Sequence, residues 1–505
     1  MPSPFQPVAL AVFCICFLLV TGAGFWAVRW RRSGSASADL DEWGLAGRKF
    51  GTLVTWFLIG GDLYTAYTVI AVPAALFGAG ALGFFALPFC ICSYPLMMLV
   101  LPPLWRICRS NGYVTLADYV RGRYQNRWLS VAVAVTGILA TMPYIALQLI
   151  GMREVIAALG IHGEWPLIAA FVILAAYTYS SGLRAPALIA IVKDVMLYIM
   201  VLAAVLVIPL RLGGYGHVFS AASSALATHS PPASIILRPA QYLSYSSLAL
   251  GSAMALMLYP HTITATLSAA SDRVIRRNSA LMPAYNLLLG FVALLGYVAI
   301  AAGIHTANSS SAIPLLLTSM FPPWFAGFCL AAIGIGALVP AAIMSIATAN
   351  LFTRNLYGEL VHRSLFSNAM TGGQEAATAK IISLAIKLGA LAFVLLVRAQ
   401  FAIELQLLGG VWILQVFPSV VGGLFTRFFH GSALLWGWVA GMAAGTAMTA
   451  SLGLRSSIYP IHFAGHVYGI YAALPALAIN LLVAAVVSVG LKISGRAPAE
   501  DLTMQ

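Results

Sequence analysis

The residue with the clearest capacity for chemistry is Asp62, a carboxylate inside the long apolar segment 51–77, within the sequence FLIGGDLYTAY. An ionisable side chain at the centre of a bilayer costs about 3 kcal/mol or more, so we expect it to bind a cation or a proton. Gly60 and Gly61 each lower helix stability by about 1 kcal/mol relative to alanine, and Pro73 follows. The pattern predicts an interrupted helix with an ion-binding carboxylate near its middle. A carboxylate that only packs against a neighbouring helix is the alternative.

A second weak point is the tripeptide Tyr259-Pro260-His261, near the middle of the apolar segment 241–268. Proline removes a backbone hydrogen bond and clashes with the preceding turn, so carbonyls near Leu256 are freed. The pattern predicts a second broken helix whose Tyr259 and His261 face a solute. The alternative is a simple proline kink with a buried, hydrogen-bonded histidine.

Neutral polar side chains occur in two further apolar segments. Ser345 and Thr348 lie three residues apart in AAIMSIATANLFTRNLY and therefore share a helix face. Their two hydroxyls could help to bind a hard cation, although serine and threonine are equally common as packing residues in membrane helices. Gln148, in PYIALQLIGM, fits either a ligand or a hydrogen bond between helices.

Charged side chains also fall inside apolar segments. Lys193 and Asp194 are adjacent, so they point to different helix faces and the sequence does not predict that they pair. Lys387 and Glu404 lie near predicted helix ends, where long side chains can extend to the membrane surface.

Composition places these residues in a membrane. Of 505 residues, 61% are hydrophobic and 8% are charged, whereas about a quarter of the residues of a soluble domain are charged. A helix needs roughly 20 apolar residues to cross a bilayer. Thirteen stretches qualify, near 6–28, 51–77, 81–105, 128–152, 164–181, 186–210, 241–268, 281–306, 323–350, 381–398, 401–426, 431–453 and 467–491.

The distribution of basic residues orients this thirteen-helix arrangement. With the N-terminus outside, 20 of the 27 lysines and arginines lie in inward-facing loops, as the positive-inside rule requires. We therefore expect a multi-pass protein of the cell inner membrane with a cytoplasmic C-terminus. The net charge of +13 has this topological explanation and does not indicate nucleic-acid binding. The first segment is expected to stay as an anchor, because RWRR follows it as a stop-transfer flank.

Several function classes lack their sequence signatures. The six cysteines show no zinc or disulfide spacing, and no phosphate-binding G-x-x-x-x-G-K-[ST] motif occurs. We expect no enzymatic activity, no ATP-driven transport and no cofactor apart from a transported Na⁺ or H⁺.

The two weak points lie on predicted helices two and seven. That spacing is expected of two inverted five-helix repeats that each begin with a broken helix. We predict a single transmembrane domain over 1–505. Its parts are an additional N-terminal helix and loop at 1–50, a first repeat at 51–210, a second repeat at 241–426 and C-terminal helices at 431–505.

Several of these segments together resemble the sodium:solute symporter family. They are DEWGLAGRKFG, GYVTLADYVRGRY, SSGLRAPALIAIVKD, the Pro-His of YPH, and AAIMS. The phrases GGDLYTAYT and LYPHT look most like the family's branch of bacterial monocarboxylate permeases. The resemblance implies an all-α membrane protein with a leucine-transporter-like core of two inverted five-helix repeats, and uptake driven by an ion gradient.

By position, the resemblance also implies a sodium site between backbone carbonyls of the broken helix and hydroxyls of helix nine. The carbonyls are those near Gly60 and Leu63, and Ser345 matches the first hydroxyl. Many members have a second hydroxyl residue directly after it, whereas this chain has isoleucine, so Thr348 is the substitute. Asp62 could instead serve a proton. Asp194 matches an acidic position that assists a further ion in some relatives.

The expected function is therefore a symporter for a short monocarboxylate such as pyruvate or lactate, extending to alanine. The solute, a small organic anion, is expected to lie beside the broken helices in a monomer or weak oligomer within the lipid bilayer. Other solutes of the family, namely proline, pantothenate or a sugar, remain alternatives, as does a sensor without transport. The expected solute-binding side chains are Tyr64, Thr65, Gln148, Tyr259 and His261.

Overall fold

The chain is described by a computed structural model over residues 5–27, 40–61, 63–228, 232–362, 369–396, 402–463, 465–496 and 501–504. Asp62 lies outside these residues. Helix dominates because every backbone amide and carbonyl within a bilayer needs a partner in its own segment. The α-helices are α1 Pro7–Trp26, α2 Leu40–Leu45, α3 Thr52–Gly61, α4 Val72–Ala79, α5 Ala86–Ser110, α6 Leu116–Tyr124, α7 Arg127–Ala158, α8 Trp165–Ser181, α9 Arg184–Arg211, α10 Tyr215–Ala227, α11 Tyr242–Leu256, α12 Pro260–Leu267, α13 Asp272–Tyr285, α14 Leu287–Ala301, α15 Ala312–Met320, α16 Pro323–Leu351, α17 Gly372–Leu396, α18 Ala402–Ile413, α19 Phe417–Phe425, α20 Gly431–Ser451 and α21 Ala473–Ile493.

The described residues form ten helices long and apolar enough to cross a membrane, or eleven if α11 and α12 count as one bent span. This confirms a multi-helix membrane fold but not the predicted number of thirteen. The difference arises partly because Thr52–Gly61 and Trp165–Ser181 are short apolar helices, and because Tyr67–Ser110 forms one long helical stretch. The most completely buried candidate span among the described residues contains α16, which packs against α1, α7, α9 and α17 at the centre of the molecule.

Both predicted breaks lie where the helices are interrupted. The first helix ends at Gly61 and resumes as a wider π-helical turn, Tyr67–Ala71, before α4. The second is the joint between α11 and α12, which are bent by 46°. Tyr259 there has extended backbone angles and precedes the first helical residue, Pro260. The two interruptions predicted from the Gly60-Gly61 pair and from Pro260 are therefore present in the structure.

The two broken helices lie side by side in opposite directions. Near the start of the first, Phe50 accepts a hydrogen bond from the Ala270 amide at 2.9 Å and donates to the Ser268 carbonyl at 3.2 Å, just beyond the end of the second. Past the end of the first, the Ala81 amide donates to Ser234, which precedes the second, at 2.8 Å. The backbone thus ties each end to the opposite end of its counterpart. This arrangement suits inverted repeats, whose residue limits remain a prediction.

A short β-hairpin interrupts the predicted helical pattern. Strands β1, Ile458–Phe463, and β2, His466–Tyr471, pair antiparallel between α20 and α21. The sequence prediction that the last helix begins at 467 is therefore wrong, because 467–471 belongs to the second strand. The alternation of aromatic and aliphatic residues in HVYGIY suits a strand.

Candidate functional site

The interruption after Gly61 removes helical hydrogen bonds, and nearby backbone carbonyls accept hydrogen bonds from other donors instead. The Gly60 carbonyl accepts from the amides of Leu63, at 3.0 Å, and Tyr64, at 3.2 Å. The Leu63 carbonyl accepts from the Thr68 hydroxyl. These are local turn contacts, which compensate for the hydrogen bonds that a continuous helix would have made.

Gln148, on α7, supports the far side of the interruption. Its Oε1 accepts from the Ala66 amide at 3.1 Å, and its Nε2 lies 3.4 Å from the Thr65 hydroxyl. The Thr65 hydroxyl in turn accepts from the Tyr67 amide at 3.0 Å. Thr65 and Gln148 are both buried. Of the two alternatives for Gln148, the structure favours a hydrogen bond between helices. That bond lies next to the predicted solute site.

Lys193 and Asp194, on α9, form an ion pair at the same interruption. The Lys193 ammonium lies 2.6 Å from Asp194 Oδ1, 2.7 Å from the Gly61 carbonyl and 3.0 Å from the Tyr64 carbonyl. Neither side chain has measurable exposure, at 0% each. The sequence left this pairing open, and it forms because the flexible lysine stem brings the ammonium back to the adjacent carboxylate.

An aromatic cluster connects the two interruptions. Tyr144, on α7, contacts Tyr67 beyond the first break, with ring centroids 6.4 Å apart. It also contacts Tyr259 and His261 of the second break, at 5.6 Å and 5.4 Å. Tyr259 and His261 contact each other at 5.1 Å, and the Tyr259 hydroxyl donates to the Gln406 carbonyl at 3.1 Å. The predicted solute-binding residues Tyr259 and His261 thus lie next to the first broken helix.

Within this aromatic cluster, the Tyr67 hydroxyl is buried and has no hydrogen-bond partner among the described residues. Leaving a buried polar group unsatisfied costs about 1–3 kcal/mol. A ligand, an ion or a water molecule can complete the hydrogen bonding of such a group. Tyr67 and Tyr144 were not predicted as site residues. The signals that could have found them are an aromatic residue soon after the glycine pair, in GGDLYTAY, and an aromatic residue next to a proline inside an apolar segment, in TMPYIALQ.

Ser345 and Thr348, the hydroxyl residues of the predicted sodium site, lie fully buried on α16. The Thr348 hydroxyl donates to the Met344 carbonyl at 2.7 Å, and the Ser345 hydroxyl donates to Ala342 at 2.8 Å. Ser345 also accepts from Ser383 of α17 at 3.3 Å, and Ser383 contacts the Lys387 ammonium at 2.9 Å. The described hydrogen bonds therefore connect Ser345 to α17 and not to the interruption after Gly61.

Lys387 is 2% exposed, so the expectation that it extends to the membrane surface is wrong. Its position near the middle of α17, a helix longer than predicted at its N-terminal end, explains the difference. Glu404 lies near the start of α18 and accepts from the Ser457 amide at 2.9 Å, next to the β-hairpin.

The segments that carry the family resemblance come together at one end of the bundle. Glu42 of DEWGLAGRKFG forms a buried ion pair with Arg184 of SSGLRAPALIAIVKD. Arg48 donates to the Tyr113 carbonyl at 2.9 Å. Asp118 accepts from the amide of Asn355 at 2.7 Å. These motifs thus hold together the face that the charge distribution assigns to the cytoplasm.

Known proteins give the same fold and family. Residues 43–427 match the sodium:solute symporter family. The chain is 50% identical to a monocarboxylate transport permease protein of Rhizobium johnstonii, covering 97% of this chain and 98% of that protein. It is 24% identical to the sodium/proline symporter of Escherichia coli, over 69% of this chain and 70% of the other.

Among solved structures, the chain matches a Na⁺-coupled sialic acid symporter in its substrate-bound outward-open state. The TM-score is 0.77 at 13% identity, over 99% of this chain and 100% of the other, which shows a shared fold. The predicted fold class, a helical membrane protein with a leucine-transporter-like core, is thereby confirmed. The chain belongs to the sodium:solute symporter family.

Proposed function

We propose that this chain is a secondary active symporter that couples the uptake of a short monocarboxylate, of pyruvate or lactate size and extending to alanine, to a cation gradient. The observation that carries the proposal is the meeting of two interrupted helices around a buried aromatic cluster. It is supported by the 50% identity to a protein named as a monocarboxylate transport permease. Because the match covers 97% of this chain and 98% of that protein, it includes the whole membrane core.

The solute carboxylate is proposed to lie between the interruptions. The α12 helix begins at Pro260 in that region, and the N-terminal end of a helix favours an anion through its exposed amides and dipole. The Tyr67 hydroxyl can donate to the carboxylate, and His261 lines the same space through its ring contacts. The methyl or hydroxyl end of the solute would pack on the aromatic rings.

Alternating access is proposed as the mechanism. The cavity beside Pro260 and Gly137 measures about 20 Å³, which holds about one water molecule and no monocarboxylate. For a solute to enter this cavity, the helices that line it around the second break would have to move apart. Rocking of the two inverted repeats about the site would provide that opening alternately on each side. The protein is proposed to lie in a bacterial inner membrane, with its N-terminus outside and its C-terminus in the cytoplasm.

Uptake by proteoliposomes tests the proposal directly. Purified protein is reconstituted, and labelled pyruvate, lactate, alanine and proline are offered under an imposed sodium gradient, an imposed proton gradient and no gradient. Accumulation of pyruvate or lactate above equilibrium under one cation gradient, and not without it, is expected. Accumulation of proline alone would assign the chain to another solute of the family. Equilibration without concentration under every gradient would contradict symport.

A further inference from the structure

The interruption after Gly61 holds a positively charged side chain among its carbonyl oxygens. The Lys193 ammonium contacts the carbonyls of Gly61 and Tyr64 and the carboxylate of Asp194, at 2.6 to 3.0 Å. Backbone carbonyls with a carboxylate are the oxygen ligands that a hard metal cation prefers. The ammonium therefore occupies oxygens of the kind that the family resemblance assigns to sodium.

The other described oxygens of the predicted sodium site are engaged as well. The Gly60 carbonyl accepts two amide hydrogen bonds, and the Leu63 carbonyl accepts from Thr68. The hydroxyls of Ser345 and Thr348 donate to carbonyls of their own helix. Each described oxygen predicted for sodium therefore already takes part in at least one hydrogen bond.

The charges near these residues also disfavour a sodium ion. Lys193 lies on the interruption, and its side chain is 0% exposed. One buried ammonium group, with Asp194 as its counter-charge, thus adjoins the carbonyl half of the predicted site. Like charges repel more strongly where water is excluded, because the local dielectric constant is lower.

We infer that the Lys193 ammonium is a tethered cation that takes the place of sodium at the broken helix, and that uptake by this chain needs no sodium. The part that concerns uptake rests on the proposed function, whereas the part that concerns ion binding does not. Na⁺ and H⁺ are the two coupling cations expected from the sequence. Without Na⁺, the proton gradient remains to drive accumulation.

A direct contact between Lys193 and the solute carboxylate is a different role, which the geometry disfavours. An ammonium has three N–H donors. The Gly61 carbonyl, the Tyr64 carbonyl and Asp194 supply three acceptors, and the side chain is 0% exposed. A carboxylate would have to displace one of them.

Sodium binding to the purified wild type is the first test. Thermal unfolding is followed as NaCl replaces KCl at constant ionic strength, because an ion that binds only the folded state raises the unfolding midpoint. We expect no sodium-dependent shift, together with solute accumulation that is unchanged when sodium is omitted. A saturable sodium-dependent rise of the midpoint, or accumulation that requires sodium, would overturn the inference.

A pair of variants tests the role of the ammonium itself. Lys193→Ala vacates the oxygens of Gly61, Tyr64 and Asp194, so sodium is expected to stabilise this variant where potassium does not. Lys193→Met fills the same volume without charge and is expected to show no such response, and Lys387→Met is a control for removing another buried lysine. A folded Lys193→Ala protein without a sodium response would overturn the inference. If the variant does not fold, the wild-type measurement decides.

The proposed function can fail separately. If no monocarboxylate accumulates under any gradient, the solute assignment is wrong, while the absence of sodium binding by the wild type still supports the tethered cation. If monocarboxylate accumulates only with sodium, the proposed function holds and the inference about Lys193 fails.

Discussion

At the scale of single residues, Tyr67 allows the substrate site to be separated from the packing of the core. Its hydroxyl is buried without a partner among the described residues, so Tyr67→Phe should leave the unfolding midpoint unchanged or slightly higher. If the hydroxyl binds the solute carboxylate, a charged hydrogen bond worth roughly 1.5–3 kcal/mol is lost. We expect KM for monocarboxylate uptake to rise about tenfold or more. Initial uptake rates at varied solute concentration measure this.

Tyr297 provides a matched control for that substitution. Its hydroxyl is also buried without a partner among the residues that the structure describes, but its ring contacts Phe84 and Phe219 and not the aromatic cluster. Tyr297→Phe should change neither KM nor the midpoint appreciably. Equal KM values in the wild type and the Tyr67→Phe variant would remove Tyr67 from the solute site.

His261 is expected to set solute affinity or selectivity and not ion coupling. Asparagine keeps a polar side chain of modest size but loses the imidazole that contacts Tyr144 and Tyr259. His261→Asn should therefore change KM several-fold, while the accumulation ratio at saturating solute stays the same, because the ion-coupling groups are untouched. A variant with wild-type KM and normal expression would make His261 a core residue of the helix joint. The sequence could find His261 because of its neighbouring proline, but only the folded chain brings it to Tyr144.

At the scale of elements, Gln148 joins α7 to the interrupted first helix. Gln148→Leu keeps a similar volume but leaves the Ala66 amide without its acceptor, which lies at 3.1 Å in the wild type. An unsatisfied buried amide costs about 1–3 kcal/mol, so the unfolding midpoint should fall. Because Ala66 adjoins the solute site, KM should rise as well. Thermal unfolding and uptake kinetics on the same preparation test both expectations.

Gln415 is the control for a buried glutamine with a similar role elsewhere. Its side chain donates to the Val411 carbonyl at 3.1 Å and accepts from Asn480 at 3.2 Å, away from both interruptions. Gln415→Leu should lower the midpoint without raising KM. If both variants raise KM equally, the effect of Gln148→Leu reflects general loosening, and its specific role at the first break is wrong.

The positions of the interruptions could be predicted at this scale, whereas their partners could not. Gly60, Gly61 and Pro260 weaken a helix through their own backbone properties, which are local. The ammonium that reaches the first interruption comes from Lys193, on a helix 132 residues further along the chain. Nothing local to either segment records that contact, because the packing of α3 against α9 creates it.

At the scale of the whole molecule, the charge distribution makes a prediction about topology. Ser110, the last residue of α5, and Ser220, within α10, are both exposed, and the sequence assigns them to opposite sides of the membrane. A cysteine at position 110 should react with a membrane-impermeant maleimide only from the cytoplasmic side, and one at position 220 only from outside. Labelling of right-side-out and inverted vesicles measures this.

The native cysteines must be replaced first, because Cys14 and Cys92 are exposed and Cys16 is partly so. A protein with these three changed to serine and no added cysteine gives the background. The reverse labelling pattern would invert the orientation. Labelling of either position from both sides would contradict the odd number of crossings on which the orientation depends.

The sequence by itself determined the membrane class, most of the helical segments, the two interruptions and the resemblance to the family. These depend on composition, on local backbone preference and on short motifs, all of which act over a few residues. The hairpin over 458–471 was missed, because an apolar run beside a helix reads as its continuation when the strand pairing is not known.

Only the tertiary structure decided which polar groups share a site. Lys193 and Asp194 point apart on an ideal helix, yet a flexible stem and a nearby set of carbonyls bring them together at 2.6 Å. Tyr67, Tyr144 and His261 come from three separate segments and meet because the two broken helices lie antiparallel, with their ends tied through Phe50 and Ala81. Contacts of this kind depend on the packing of helices that are distant in sequence. They therefore cannot be predicted from the pattern within any single segment.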